Sequence, residues 1–174
     1  NGWLYLYYSP STGSVNRLSR FTLAGNQLVA GSEQILLTVP SDRVSTNHQA
    51  GSLAFGPGGE LYLSTGDNTN PFESNGYNPI DERAGRAIYD AQRSAGNAAD
   101  LRGKILRIQP LADGTYAIPA GNLFPADGSA GRPEIVVQDR FATGTPQKRI
   151  RSRNGAYELL VFKDRYEVHE LATG

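Results

Sequence analysis

Short runs rich in Leu, Ile, Val, Tyr and Phe alternate along the chain with Gly- and Pro-rich breaks, and no segment keeps a helical period over three turns. Trp3-Leu4-Tyr5-Leu6-Tyr7-Tyr8 reads as a strand that stops at Ser9-Pro10. Residues 16–23 read as a second strand, turning at Ala24-Gly25-Asn26, and residues 34–39 as a third, ended by Pro40. The three form a meander. Residues 52–55 and the run Leu61-Tyr62-Leu63 flank Gly56-Pro57-Gly58-Gly59, a cluster that marks a reversal, so this stretch is predicted as a hairpin. The fold class is all-β.

The pattern also repeats. Gly2-Trp3-Leu4-Tyr5-Leu6 resembles Gly59-Glu60-Leu61-Tyr62-Leu63, and Leu18-Ser19-Arg20-Phe21 resembles Ile105-Leu106-Arg107-Ile108, with a much longer connection inside the second copy. Repeated four-stranded meanders point to a β-propeller, in which radial blades protect one another's edges. The strand that precedes Leu61 has its counterpart upstream of Asn1. The chain therefore holds about two to two and a half blades where a ring needs roughly four to eight. A partial propeller is expected: a fragment, or a ring completed by another copy or by further sequence.

Composition narrows the chemistry. The 17 Lys and Arg residues cancel the 17 Asp and Glu residues, so no global field points to nucleic acid or to an anionic membrane. Cysteine is absent, which excludes disulfides, thiolate metal sites and thiol nucleophiles. No apolar run reaches membrane-spanning length and no signal peptide is legible. Methionine is absent even at position 1, as expected of a mature product or an excised piece.

A turn centred between Pro57 and Gly58 sets Ala54 opposite Leu61, Ser52 opposite Leu63 and His48 opposite Asp67. The open end of the hairpin is thus predicted to carry an imidazole–carboxylate pair. Such a carboxylate fixes the histidine tautomer and stabilises the imidazolium that a general base becomes after taking a proton. The alternative is a pair of strand-end groups that merely satisfy each other. At the same end begins a long polar connection, residues 67–102, and so long a loop between core strands is usually functional. One helical turn is expected over residues 90–95. Asp67, Asp81, Glu82, Asp90 and Asp100 offer oxygen ligands to a hard cation, without the spacing of an EF-hand loop; solvated loop charges are the other reading.

Asp113-Gly114-Thr115-Tyr116 marks a second small hairpin, and Gly131-Arg132-Pro133-Glu134 leads into Ile135-Val136-Val137. From Gln138 the character changes. Lys148, Arg149, Arg151, Arg153, Lys163 and Arg165 crowd a tail that reads as two or three strands turning at Asn154-Gly155 and Lys163-Asp164, with a solvated basic face rather than a phosphate site. Residues 1–137 are expected to form the partial propeller. Residues 138–174 form a divergent basic tail, a β-hairpin or a poorly ordered segment.

Five motifs carry a family resemblance: Asn47-His48-Gln49-Ala50-Gly51-Ser52-Leu53, Leu61-Tyr62-Leu63-Ser64-Thr65-Gly66-Asp67-Asn68, Asp90-Ala91-Gln92-Arg93-Ser94-Ala95-Gly96-Asn97, Leu101-Arg102-Gly103-Lys104-Ile105-Leu106-Arg107-Ile108 and Gly121-Asn122-Leu123-Phe124. From Asn1 to about Ile135 the chain resembles the soluble sugar dehydrogenases that use pyrroloquinoline quinone (PQQ), the glucose/sorbosone dehydrogenase family, which are six-bladed β-propellers. The resemblance implies oxidation of an aldose at its anomeric carbon by hydride transfer to PQQ. It gives His48 the role of the base that removes the hydroxyl proton and Asp67 that of its orienting partner. It also implies Pro71 and Phe72 on the substrate wall, Ca²⁺ to bind and polarise the quinone, and a periplasmic or extracellular location.

The pattern breaks after Ile135. Val136-Val137-Gln138-Asp139-Arg140-Phe141 stands where the family carries an Arg-Asn-Pro motif that helps to hold the quinone, and Arg153-Asn154 is displaced and followed by Gly155. The tail reads as a divergent end, a join or a frameshifted reading. By this reading the chain alone lacks most of a cofactor site and is inactive in isolation. Two other classes fit the same residues: a non-catalytic propeller module that binds a protein or glycan through the long loop, and a Ca²⁺-dependent lactonase-like propeller hydrolase.

Overall fold

A computed structural model describes residues 2–49 and 51–138 in full, together with the strand backbones 148–151, 157–161 and 166–170. The chain divides into two units, Asn1–Asp139 and Arg140–Gly174. In the first, β1 (Trp3–Tyr8), β2 (Val15–Ala24), β3 (Gln27–Leu28) and β4 (Gln34–Pro40) make one antiparallel sheet. A second sheet comprises β5 (Gly51–Phe55), β6 (Leu61–Thr65), β7 (Lys104–Pro110), β8 (Tyr116–Ala117) and β9 (Ile135–Gln138). The three strands of the predicted meander are present, each within one residue of its expected ends.

The repeat holds in register as well as in sequence. Tyr5 pairs with Arg20 between β1 and β2, and Tyr62 with Arg107 between β6 and β7. β4 runs along β2 as β9 runs along β7, and the short β3 and β8 extend the same edges. β5 has no counterpart in the first sheet among the described residues. Two meanders of one plan, the first without a counterpart of β5 among the described residues, are the blades of a partial propeller.

Equivalent arginines do equivalent work in the two copies. Arg20 lies 4.0 Å over the Trp3 ring and donates to the carbonyls of Leu111 at 2.5 Å and Ala112 at 3.2 Å, in the β7–β8 connection of the other sheet. Arg107 donates to Asn122 Oδ1 and to the Ala120 carbonyl, both at 2.7 Å. Each guanidinium takes up loop oxygens, two backbone carbonyls for Arg20 and one carbonyl and one side-chain amide for Arg107.

Alternation along the strands builds the core. Leu18, Leu36, Leu37 and Val39 of the first sheet join Leu61, Leu63, Leu106, Ile108 and Ile135 of the second in one buried cluster. Each such side chain contributes roughly 1.5–3 kcal/mol when fully buried. Leu101, near the end of the long connection, enters the same cluster and ties the loop to it.

The β5–β6 hairpin differs from expectation by one residue. Phe55 pairs with Leu61, Leu53 with Leu63 and Gly51 with Thr65, a register that carries His48 towards Asn68 rather than Asp67. The cause is the loop. The Gly56 N–H donates to the Glu60 carbonyl at 2.8 Å and Gly59 takes φ 85°, which makes a three-residue turn closed by a left-handed glycine where a two-residue turn was expected. The helical turn expected over residues 90–95 is two short 3-10 turns, Ala87–Tyr89 and Ala91–Arg93. Asp90 separates them because its carboxylate accepts from the Gln92 N–H at 2.9 Å.

In the second unit β10 (Lys148–Arg151), β11 (Tyr157–Val161) and β12 (Tyr166–Glu170) form an antiparallel sheet in that order. The turns expected at Asn154-Gly155 and Lys163-Asp164, the Arg153-Asn154 pair and the side chains of the basic cluster lie outside the described residues.

Candidate functional site

His48 and Asp67 meet. His48 Nδ1 lies 3.0 Å from Asp67 Oδ1, although the ladder register points elsewhere. The strands leave the pleat before they reach this end: His48 has φ 50° and Asn68 φ 57°, and the Asn68 N–H donates to the His48 carbonyl at 2.9 Å. The backbones thus pair His48 with Asn68 while the kinks swing the ring back onto the neighbouring carboxylate. The Thr69 N–H donates to the same Asp67 oxygen at 2.9 Å and fixes it. An ionised carboxylate only accepts, so Nδ1 carries the ring proton and Nε2 is left as the acceptor.

Close packing underlies the pair. A Cβ on Gly66 would stand 1.7 Å from the His48 carbonyl oxygen. Gly103, at φ 64°, passes so near the loop that a Cβ there would stand 2.6 Å from Ala95 Cβ and 3.2 Å from Asp67 Cβ. Lys104 is buried, and its ammonium donates to the carbonyls of Ser94 at 2.7 Å, Ala95 at 2.9 Å and Arg102 at 2.8 Å. Thr65 Oγ1 donates to the Leu101 carbonyl at 2.6 Å and accepts from the Lys104 N–H at 3.1 Å. The loop end is therefore strapped to the strand end that bears Asp67. Neither Lys104 nor Thr65 stands out in the sequence, because a lysine is ordinarily an exposed residue and a strand-end threonine an unremarked one.

The loop carboxylates do not converge. Asp81 is buried on Ser74 Oγ at 2.6 Å and on Arg83 Nε and Nη2, each at 2.7 Å, with Arg86 Nε at 3.4 Å. Arg83 and Arg86 stack over the rings of Tyr77 and Tyr89, each at 3.9 Å. Asp100 is held by Arg102, and Glu82 accepts from Gln92 Nε2 at 3.1 Å. Among the described residues no three His, Asp or Glu side chains come together, so the oxygen-ligand set offered by the sequence is not assembled there. The Arg83 guanidinium beside Asp81 holds its carboxyl well below the usual carboxylate range, against the effect of burial and with help from Ser74. A depressed folded pKa contributes stability at pH values above about 3.9, the ordinary Asp value, and loses it as pH falls below that. Limited proteolysis within residues 70–100 is accordingly expected to be slow at pH 5 and markedly faster at pH 3.

An open cleft of about 680 Å³ is lined by His48, Ser64, Thr65, Gly66, Asp67, Ala95, Gly103, Lys104, Ile105, Val137 and Gln138. Its volume suits a small ligand. Pro71 and Phe72 lie outside this lining, and the Phe72 ring is largely exposed. A tricarboxylated quinone needs cationic donors around it. The ammonium in this lining, that of Lys104, is already committed to backbone carbonyls. The described residues of the cleft supply a base and its partner, but do not by themselves fit the quinone or its Ca²⁺.

Residues 1–137 match the family model described as glucose/sorbosone dehydrogenase. The chain is also similar to a solved structure of an oxidoreductase from Thermus thermophilus, described as a glucose dehydrogenase, with 24% sequence identity and a TM-score of 0.54. The match covers 99% of this chain and 44% of that one, so the chain spans less than half the length of its structural neighbour. Among the described residues no helix is long and apolar enough to cross a membrane.

Proposed function

The chain belongs to the glucose/sorbosone dehydrogenase family, and from that premise we propose that it supplies the base side of a quinoprotein site that oxidises an aldose at its anomeric carbon. The observation that carries this reading is the 3.0 Å contact between His48 Nδ1 and Asp67 Oδ1 at an open cleft. His48 takes the proton of the anomeric hydroxyl at Nε2. Asp67 holds the ring in the tautomer that leaves Nε2 open and balances the positive charge that develops on it. Pro71 and Phe72 are proposed to flank the sugar. The groups that hold PQQ and Ca²⁺ are proposed to come from the rest of the ring, and sugar oxidation of this kind suits a periplasmic or extracellular location.

This reading makes the chain inactive in isolation. The full-length protein that carries it, supplied with PQQ and Ca²⁺, is expected to reduce a dye acceptor when an aldose is added and to form the corresponding lactone. Residues 1–174 alone are expected to do neither. No aldose oxidation by the quinone-loaded full-length protein would overturn the proposal, and so would lactone hydrolysis that needs no quinone.

A further inference from the structure

We propose that Asn68 is a positioning residue, whose buried side-chain amide holds residues 42–48 in the fold that brings the His48 ring to Asp67. This inference rests on the reading of His48 as the base and concerns how that base is held. Asn68 is 2% exposed and directly follows Asp67. Its Oδ1 accepts from the Asp42 N–H, and its Nδ2 donates to the carbonyls of Ser45 at 2.9 Å and Asn47 at 3.3 Å. Its backbone N–H donates to the His48 carbonyl at 2.9 Å, and its own carbonyl accepts from Arg93 Nη2 at 3.3 Å. One side chain thus takes hold of three backbone positions in the segment that ends at His48.

The chemistry asks for asparagine. A donor and an acceptor must sit on one planar group, which aspartate cannot provide and an aliphatic side chain provides in neither half. The position also needs φ 57°, a left-handed conformation that asparagine tolerates better than most residues. His48 itself sits at φ 50°. A histidine in that conformation persists only where its surroundings over-determine it.

Gln49 works from the other flank. Its Oε1 accepts from Ser41 Oγ at 2.7 Å and Asn16 Nδ2 at 3.3 Å, and its Nε2 donates to the Ser45 carbonyl at 3.3 Å. The His48 side chain, by contrast, is 48% exposed. Its aim therefore depends on how its backbone is clamped.

A purely structural asparagine would change the melting temperature and leave the histidine ring signals alone. The test is ¹⁵N NMR of the chain, in which the sequence has 2 histidines, His48 and His169, and His169→Gln assigns them. The intact chain is expected to show His48 as the Nδ1–H tautomer with a protected Nδ1 proton. In folded Asn68→Gly the two tautomers should mix and the protected proton should vanish. Asn68→Asp, which keeps the shape and the acceptor but loses the donor, should do the same.

In the full-length protein kcat for an aldose should fall roughly 10- to 100-fold with KM nearly unchanged. Unaltered His48 ring signals in either folded variant overturn the proposal. Failure of both variants to fold also overturns it, since it assigns Asn68 to stability. Ring signals lost with turnover unchanged support the positioning role and remove the base role instead, so the two failures are distinguishable.

Discussion

Gly66→Ala is expected to destabilise the first unit by about 3 kcal/mol or more, at the upper end of the range for overpacked interiors, and to erase the His48–Asp67 contact in whatever fraction stays folded. The added Cβ would stand 1.7 Å from the His48 carbonyl oxygen, 2.4 Å from its carbonyl carbon and 3.0 Å from the Gln49 nitrogen. All three are backbone atoms, so no rotamer change relieves the clash. The carbonyl must retreat, and in retreating it gives up the hydrogen bond from the Asn68 N–H. Since φ at Gly66 lies outside the left-handed region, the need for glycine here is one of space, not of backbone freedom. Denaturant unfolding reads the stability loss, and the His48 Nδ1 proton reads the local one. A variant with an unchanged midpoint and an intact Nδ1 signal would mean that the two strand ends are not in this close contact.

That close contact also explains what can be read from residues alone. The strands at Trp3–Tyr8 and Gln34–Pro40 are legible because apolar runs end at proline and glycine, and these stop a ladder for local reasons. Tyr5 and Tyr62 stand out as equivalents because each sits in a Gly-x-Leu-Tyr-Leu run, and in the fold each pairs with an arginine on the next strand. The hairpin register is not legible. Gly58 and Gly59 both permit a left-handed residue, and nothing local chooses between a two- and a three-residue loop. The His48–Asp67 pair is expected from a symmetric turn that the chain does not make. It forms because Asn68 draws the His48 carbonyl across and both residues leave the extended region. That kink comes from hydrogen bonds to residues 42–47, far from any short-range pattern. Lys104 is invisible for the same reason, since the three carbonyls that satisfy its ammonium come from a loop whose path no periodicity describes.

Under the proposed function, His48→Ala in the full-length protein is expected to lower aldose turnover by roughly 10²- to 10⁴-fold, the usual contribution of a placed general base. That loss corresponds to about 3–5 kcal/mol of barrier. Stability should change little, because the ring is half exposed and belongs to no core cluster. Histidine and alanine both carry the left-handed penalty at φ 50°, so little of it enters the difference, and His48→Asn, which accepts that conformation, is the check that separates lost chemistry from backbone strain. Asp67→Asn should fall between the intact protein and the alanine variant. It keeps an oxygen for the Thr69 N–H but loses the charge that balances an imidazolium. A binding module would behave differently, because ligand capture would survive all three substitutions and disappear only when the loop of residues 70–97 is altered. A metal-dependent hydrolase would follow carboxylates gathered on a cation, and Asp81 and Asp100 instead face arginines. Turnover that tracks His48 while the melting temperature does not is thus the result that only the base assignment produces.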